Sequence, residues 1–435
     1  MRSIRISFVL VVLVLVVLGT GLIDHKQRSL VDWSRVRAVA IQSDDWGLCG
    51  FVPNDSALEG LDPDSLGGTK FPPAYWRSTL EDSSDVAAMS ELLSRHVGRD
   101  GLPVVFQPNM IMGHEVLTED GTWVTGSIRD GWPDRYERPG LWSAVSEAME
   151  AGVWAPELHG FLHYVASDPR ERVLDSGPQV AEAALRGVLV FPGAHQSFEL
   201  GPGQEIQGLD VLWGRMITDQ EAMFDRRPVS VVAPDYVWDD RHEELWSHLG
   251  VRCIQAKRSQ RRRDLGGPEP LRRIRKYVER QWALWTDADF TYLERNCRLE
   301  TAQAPDPEAE RDSCRRQALD AWRQGRPAVV EAHRVNYVQT DGQGEEQGRL
   351  LLDSLLTELG AHAPLYAADA ELAGWARRGV STDRRGSRWF VRNPGPAARL
   401  AVIEADGPRT VLVPPFTTLI LDRGGKSIVE TISLR

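Results

Sequence analysis

Two carboxylates stand side by side in "SDDWG", residues 43–47, where the apolar run "AVAI" stops. Adjacent like charges repel, and neither is buried without cost unless it has a partner. Asp is also an ordinary turn and helix-cap residue, so Asp44 and Asp45 alone do not separate chemistry from local structure. A second constellation lies in "PELHGFLHY": His159 and His163 are four apart, and one helical turn there would bring both imidazoles to one side, as a divalent ion requires. Solvated or core histidines share that spacing. A third is "AVVEAHRVNY", which sets His333 at the end of an apolar run. One carboxylate with two imidazoles would make a facial ligand set, leaving positions open for water and substrate.

Such residues act together only if the fold gathers them. From residue 36 onward, short apolar runs alternate with longer amphipathic stretches, the pattern of repeated β-α units. Strands are expected at 38–42, 103–107, 153–158, 188–191, 229–233, 251–256, 328–332 and 364–367, with helical segments such as "DVAAMSELLSRHVG" and "HEELWSHLG" between them. The fold class this predicts is α/β, a parallel (β/α)7-8 barrel over residues 36–380. The Asp pair follows the first expected strand, the His pair the third and His333 the seventh. All three therefore project from the C-terminal rim, where barrels of this kind carry their chemistry.

Two stretches break the repeat. Residues 50–80 form a Gly/Pro/Asp-rich insertion behind the Asp pair, and long loops in compact domains are often binding elements. Residues 386–435 turn to strand-like runs separated by turns, a small β unit that needs the barrel to dock on. At the other end, residues 1–30 hold an 18-residue uncharged run behind Arg2 and Arg5, which reads as a membrane anchor or a removed signal peptide and places the rest outside the cytoplasm. Cys297 and Cys314 flank a polar, proline-containing stretch and are candidates for a disulfide. A formal charge of −11 argues against a dedicated nucleic-acid binder, and "KRSQRRRD" at 257–264 reads as a solvated loop and helix face.

In order and type these motifs resemble the polysaccharide deacetylases of carbohydrate esterase family 4, the NodB-homology domain. That family has an Asp-Asp-Gly motif after its first strand, His-xxx-His after its third, Pro-Tyr/Phe-Gly near the fifth and a late strand ending in a catalytic His. Here "SDDWG", "HGFLH", "VVAPDYVWDD" (231–240) and "VVEAHR" (329–334) stand in those places. The resemblance implies one divalent ion, usually zinc, on Asp45, His159 and His163, with Asp44 as general base and His333 as general acid. It implies an acetylated polysaccharide, N- or O-linked, as substrate.

There are departures. Trp46 displaces the motif glycine by one position, no arginine precedes Pro234 to orient the base, Asp235 interrupts the Pro-Tyr pair, and "CIQAKRSQ" offers no aspartate to tune His333. Glu331, two residues before His333 on the same strand face, is the expected substitute. Asp235, Tyr236, Asn109 and His195 are further candidates for supporting or substrate contacts. Two other readings stay open: a non-catalytic glycan-binding relative, and a barrel glycoside hydrolase pairing Asp44 with Asp235 or Glu157.

Overall fold

The computed structural model describes residues 30–49, 51–62, 66, 73–164, 170, 173, 177–189, 208–257, 290–405 and 407–434. Its first eleven strands are β1 (Ala38–Trp46), β2 (Phe106–Ile111), β3 (Gly113–Leu117), β4 (Trp123–Ser127), β5 (Glu157–Gly160), β6 (Ser230–Val231), β7 (Cys253–Ala256), β8 (Thr291–Glu294), β9 (Cys297–Arg298), β10 (Ala328–His333) and β11 (Leu365–Tyr366). β3 and β4 form a separate antiparallel hairpin. The others make one parallel sheet in the order β8-β7-β6-β5-β2-β1-β10-β9, with β11 pairing the start of β1. Strands covered on both faces must be apolar almost throughout, and every residue of β1 is buried.

The two ends of that order are one piece of chain. Only Arg295 and Asn296 separate β8 from β9; Arg295 N donates to Ala256 O at 2.9 Å on one side, and Asn296 N to Val329 O at 3.2 Å on the other. Residues 291–298 thus bridge β7 to β10 and curl the sheet into a barrel. This run was not among the expected strands. Its burial does alternate with period two at Thr291, Leu293, Arg295, Cys297 and Leu299, but the charges of Glu294, Arg295 and Arg298 disguise it as a polar loop. Conversely, Val188 and Leu189, the described residues of the strand expected at 188–191, sit buried in irregular chain.

Helices at Ser83–Ser94, Leu141–Glu150, Leu209–Phe224, Asp240–His248, Pro307–Arg323 and Gln343–Gly360 lie in the connections. Their starts are written in the sequence. Asp82 and Asp85 form a capping box, and Asp306 caps Ala309 N just ahead of Pro307. One apolar cluster joins Val86, Val145, Trp213, Trp246, Trp322 and Leu352 of the helices to Ile41, Phe106 and Val330 of the strands.

The stretch between Cys297 and Cys314 is not a loop awaiting a covalent closure: the helix Pro307–Arg323 begins in it and carries Cys314. Both cysteines are free thiols buried in the main core, where they act as small apolar side chains. The expected disulfide is therefore absent. Burial pushes the Cys297 thiol up to about 12, which suppresses the reactive thiolate. Both thiols should resist alkylation in the native protein and react only after unfolding, and a reductant should leave the melting temperature unchanged; mass mapping of a bridged 297–314 peptide pair would refute this.

From Ser381 onward a four-stranded antiparallel sheet, β12 (Ser381–Arg385), β13 (Arg388–Asn393), β16 (Thr417–Leu421) and β17 (Ile428–Ser433), carries the hairpin β14 (Arg399–Ala405) and β15 (Gly407–Val413). It is docked by a buried charge: Arg392 reaches Asp100 at 2.6 Å and Glu371 at 2.9 Å, and lies over the Trp375 ring. Residues 1–29 lie outside the described residues; among the described residues no helix is long and apolar enough to cross a membrane.

Candidate metal and proton-transfer site

On a regular strand neighbouring side chains point to opposite faces, so Asp44 and Asp45 would part company. A bulge prevents it. The β1–β2 register shifts between Ser43 and Trp46, and Asp45 takes the left-handed backbone at φ 71°. Non-glycine residues pay about 1–3 kcal/mol for such a conformation and keep it where the surroundings impose it. Trp46 is the anchor: fully buried, it meets Trp154 edge-on at 5.0 Å and Phe106 at 5.6 Å. The glycine follows one place later, and a Cβ on Gly47 would lie 2.7 Å from Ile111 O, so no other residue fits the turn. Gly47 N donates to Glu81, whose other oxygen accepts from the fully buried Arg334.

Asp45 faces the two histidines. Its Oδ1 lies 3.4 Å from His159 Nε2 and 3.7 Å from His163 Nε2, and this buried oxygen has no hydrogen-bond partner among the described residues. Those separations exceed a good hydrogen bond but match the edges of a tetrahedral site with bonds of about 2.0–2.2 Å. His159 Nδ1 donates to Val232 O at 3.0 Å, which turns its Nε2 lone pair toward Asp45. The three side chains therefore fit a small divalent ion. They converge without the helical turn that the four-residue spacing suggested. His159 is a β5 residue, and His163 arrives through a bend with φ 71°.

Asp44 is held differently. Arg295 grips it with two hydrogen bonds of 2.6 Å, Nη1 to Oδ2 and Nη2 to Oδ1, and Asn109 Nδ2 adds a third at 2.8 Å. Burial by itself would raise its pKa, but the Arg295 guanidinium overrides this and holds the carboxyl well below the usual carboxylate range. Asn109, a candidate for a supporting or substrate contact, supports this carboxylate from within the barrel.

His333, at the end of β10, sits with Nε2 3.9 Å from Asp44 Oδ2. Its Nδ1 meets Glu300 Oε1 at 2.6 Å, and Glu300 is itself held by Asn336 at 3.1 Å. Burial alone would depress this imidazole, yet Glu300 pushes it up to about 10. Glu331 does not tune His333: its carboxylate pairs with Lys257 at 2.5 Å and accepts from Tyr236 at 3.1 Å. Two residues along a strand span roughly 6.6 Å, which puts Glu331 one layer below the imidazole.

Arg295 and Glu300 are the residues sequence reasoning missed; Arg295 lies in the unexpected barrel-closing run and Glu300 two residues past its end. Tyr236 is half-buried, its hydroxyl accepting from Arg295 at 2.9 Å, while Asp235 is exposed on the same rim at φ 52°. Glu157 is fully buried, with its oxygens taken by Arg226 and by the Val229 and Ser230 amides, and burial raises it to about 7. It offers no carboxylate to a sugar. His195 lies outside the described residues. Past the ends of β9 and β10 opens a cleft of about 1000 Å³, bordered by Trp76, Arg77, Thr301, Gln339, Asp341 and Gln343. Trp76 and Arg77 come from the insertion that follows the Asp pair.

No family model and no curated protein matches the chain. Among solved structures, the chain is similar to a candidate polysaccharide deacetylase from Mycobacterium smegmatis at 12% identity, covering 79% of this chain and 91% of that one with a TM-score of 0.38. A CE4 family pseudoenzyme from Bacillus anthracis is 11% identical, covering 78% of this chain and 66% of that one, TM-score 0.28. An alpha-fucosidase from Thermotoga maritima is 11% identical, covering 90% and 94%, TM-score 0.32. At these values the likenesses fix neither family nor activity.

Proposed function

We propose that the chain is an exported, metal-dependent deacetylase of an acetylated polysaccharide, a divergent relative of carbohydrate esterase family 4. The observation that carries this reading is the side-by-side placement of an Asp-His-His ligand set, a carboxylate held ionised by Arg295 and an imidazole held protonated by Glu300. When bound, a zinc ion on Asp45, His159 and His163 supplies Lewis-acid polarisation of the acetyl carbonyl and a more acidic water. Asp44 takes the proton as the water oxygen bonds to the carbonyl carbon. His333 Nε2 then gives a proton to the departing amine or alkoxide as the C–N or C–O bond breaks, and acetate remains. The base must be ionised and the acid protonated at one pH, and the opposite pKa displacements of Asp44 and His333 serve that division of labour.

The absence of the motif arginine and aspartate from their expected places favours a non-catalytic glycan binder. Arg295 and Glu300 occupy those roles and support turnover instead. An extended polymer suits a rim cleft bordered by Trp76 and amide side chains, and residues 1–30 are the basis for export, since no disulfide contributes to that argument. No nucleic-acid partner is proposed.

The deciding measurement is acetate release from acetylated glycans by the full chain before and after chelation, with zinc returned at the end. Release that survives complete metal removal sinks the reading. Loss of metal without any release from a broad glycan panel favours the binder, and new reducing ends favour a glycosidase.

Glu300 carries a separable prediction. Glu300→Gln removes the charge that raises His333, so the imidazole loses its proton at lower pH. An acid catalyst is lost as pH rises through its pKa, and the alkaline limb of the kcat profile should therefore move to lower pH, with kcat at neutral pH down about tenfold. An unmoved alkaline limb would show that His333 is not the acid.

A further inference from the structure

Below the rim the barrel interior is filled with amides. Gln42 of β1, Gln107 of β2 and Gln255 of β7 are fully buried and converge on Asp369, the first residue of the helix Asp369–Arg378, also fully buried. Gln42 Nε2 donates to Asp369 Oδ1 at 2.6 Å, Gln107 Nε2 to the same oxygen at 3.0 Å, and Gln255 Nε2 to Oδ2 at 2.9 Å. A carboxylate only accepts, so each amide must turn its nitrogen toward Asp369. The oxygens of Gln42 and Gln255 then face up the barrel, where they meet a group that only donates. Arg295 Nε gives to Gln42 Oε1 at 2.9 Å and Nη2 to Gln255 Oε1 at 2.5 Å. With its lower edge seated on two amide oxygens, the guanidinium has its Nη1 and Nη2 donors left for the two oxygens of Asp44.

We propose that Asp369, at the floor of the barrel, is a positioning residue for the general base at the rim: it sets the polarity of Gln42 and Gln255, and they seat Arg295 so that Asp44 is gripped at both oxygens. This rests on the reading of Asp44 as base. The two amides have one polarity each that satisfies both ends, because inverting either would set two donors against each other at Arg295 and two acceptors at Asp369. The grip leaves the remaining lone pair of Asp44 Oδ2 on the side of His333, 3.9 Å away, where a proton must be taken up.

The test begins with Asp369→Asn. At the Oδ2 position, where it opposes one glutamine nitrogen rather than the two at Oδ1, the new amide nitrogen faces Gln255, which must invert and turn its own N–H2 toward Arg295. A crystal structure should show that inversion with the guanidinium displaced from Asp44. Steady-state kinetics should show kcat down at least tenfold, with KM within twofold and metal content unchanged. The double variant Asp369→Asn/Gln255→Glu restores an acceptor at both ends of position 255 and should recover most of kcat, a rescue that a general packing defect would not give. Gln255→Met severs the relay while leaving Asp369 intact, and should reproduce the kcat loss. Full activity in Gln255→Met, or an unmoved Arg295 in the Asp369→Asn crystal, overturns the proposal even where the other variant does not fold. If the wild type releases no acetate, the deacetylase reading has failed, and the Arg295 position in the crystal still decides this one.

Discussion

Protein carrying His163→Ala, purified as the full chain, is expected to lose the ion that the wild type holds at about one per chain, while its circular dichroism stays that of the wild type. The expectation follows from geometry. His163 Nε2 lies 3.7 Å from an Asp45 oxygen that has no hydrogen-bond partner among the described residues, a spacing that an ion fills and a proton does not. His163 sits in a bend at the rim and outside every strand, so its truncation leaves the barrel intact. Added zinc should raise the melting temperature of the wild type, since an ion bound only by the native state stabilises it by mass action, and this rise should vanish in the variant. His333→Ala should keep both the ion and the rise. Full metal occupancy in His163→Ala would remove the ligand assignment and, with it, the proposed chemistry.

The two aspartates should fail in different ways. Asp44→Asn keeps one acceptor for Arg295 but cannot take a proton, so metal stays bound while acetate release falls by about 10²–10⁴-fold. It should also lower stability, because Arg295, fully buried, loses the charge that faces it; removing one partner of a buried pair costs about 3–5 kcal/mol, and the retained amide oxygen offsets part of that. Asp45→Asn replaces a charged ligand and should release the metal. Metal analysis and single-turnover acetate release on the two proteins separate the cases. The roles are reversed if Asp44→Asn sheds the ion and Asp45→Asn keeps it; if neither change affects acetate release, the site lies elsewhere.

Much of this arrangement is legible without coordinates. The alternation of apolar runs with amphipathic stretches marks β-α units, and Asp44, Asp45, His159, His163 and His333 stand at or just past the C-terminal ends of strands, so a parallel sheet must gather them at one end. The runs between 386 and 435 alternate as strands do, and they are strands. These features are local: side-chain periodicity and the position of a polar residue at a strand end belong to a few consecutive residues.

What tertiary structure alone decided is how the gathered groups are charged and aimed. The segment 291–300 reads as polar chain because it carries Glu294, Arg295, Arg298 and Glu300, and only closure of the sheet makes Arg295 and Glu300 the partners of Asp44 and His333. Glu331 had the right spacing along its own strand, but tuning depends on distance across strands, and there Glu300 lies within 2.6 Å. The Cys297–Cys314 pairing failed for a related reason: residue count between two thiols measures loop length, whereas the helix Pro307–Arg323 packs them as core. Local chemistry named the five groups of the site. Long-range contacts, which no short window of sequence contains, set their protonation and their aim.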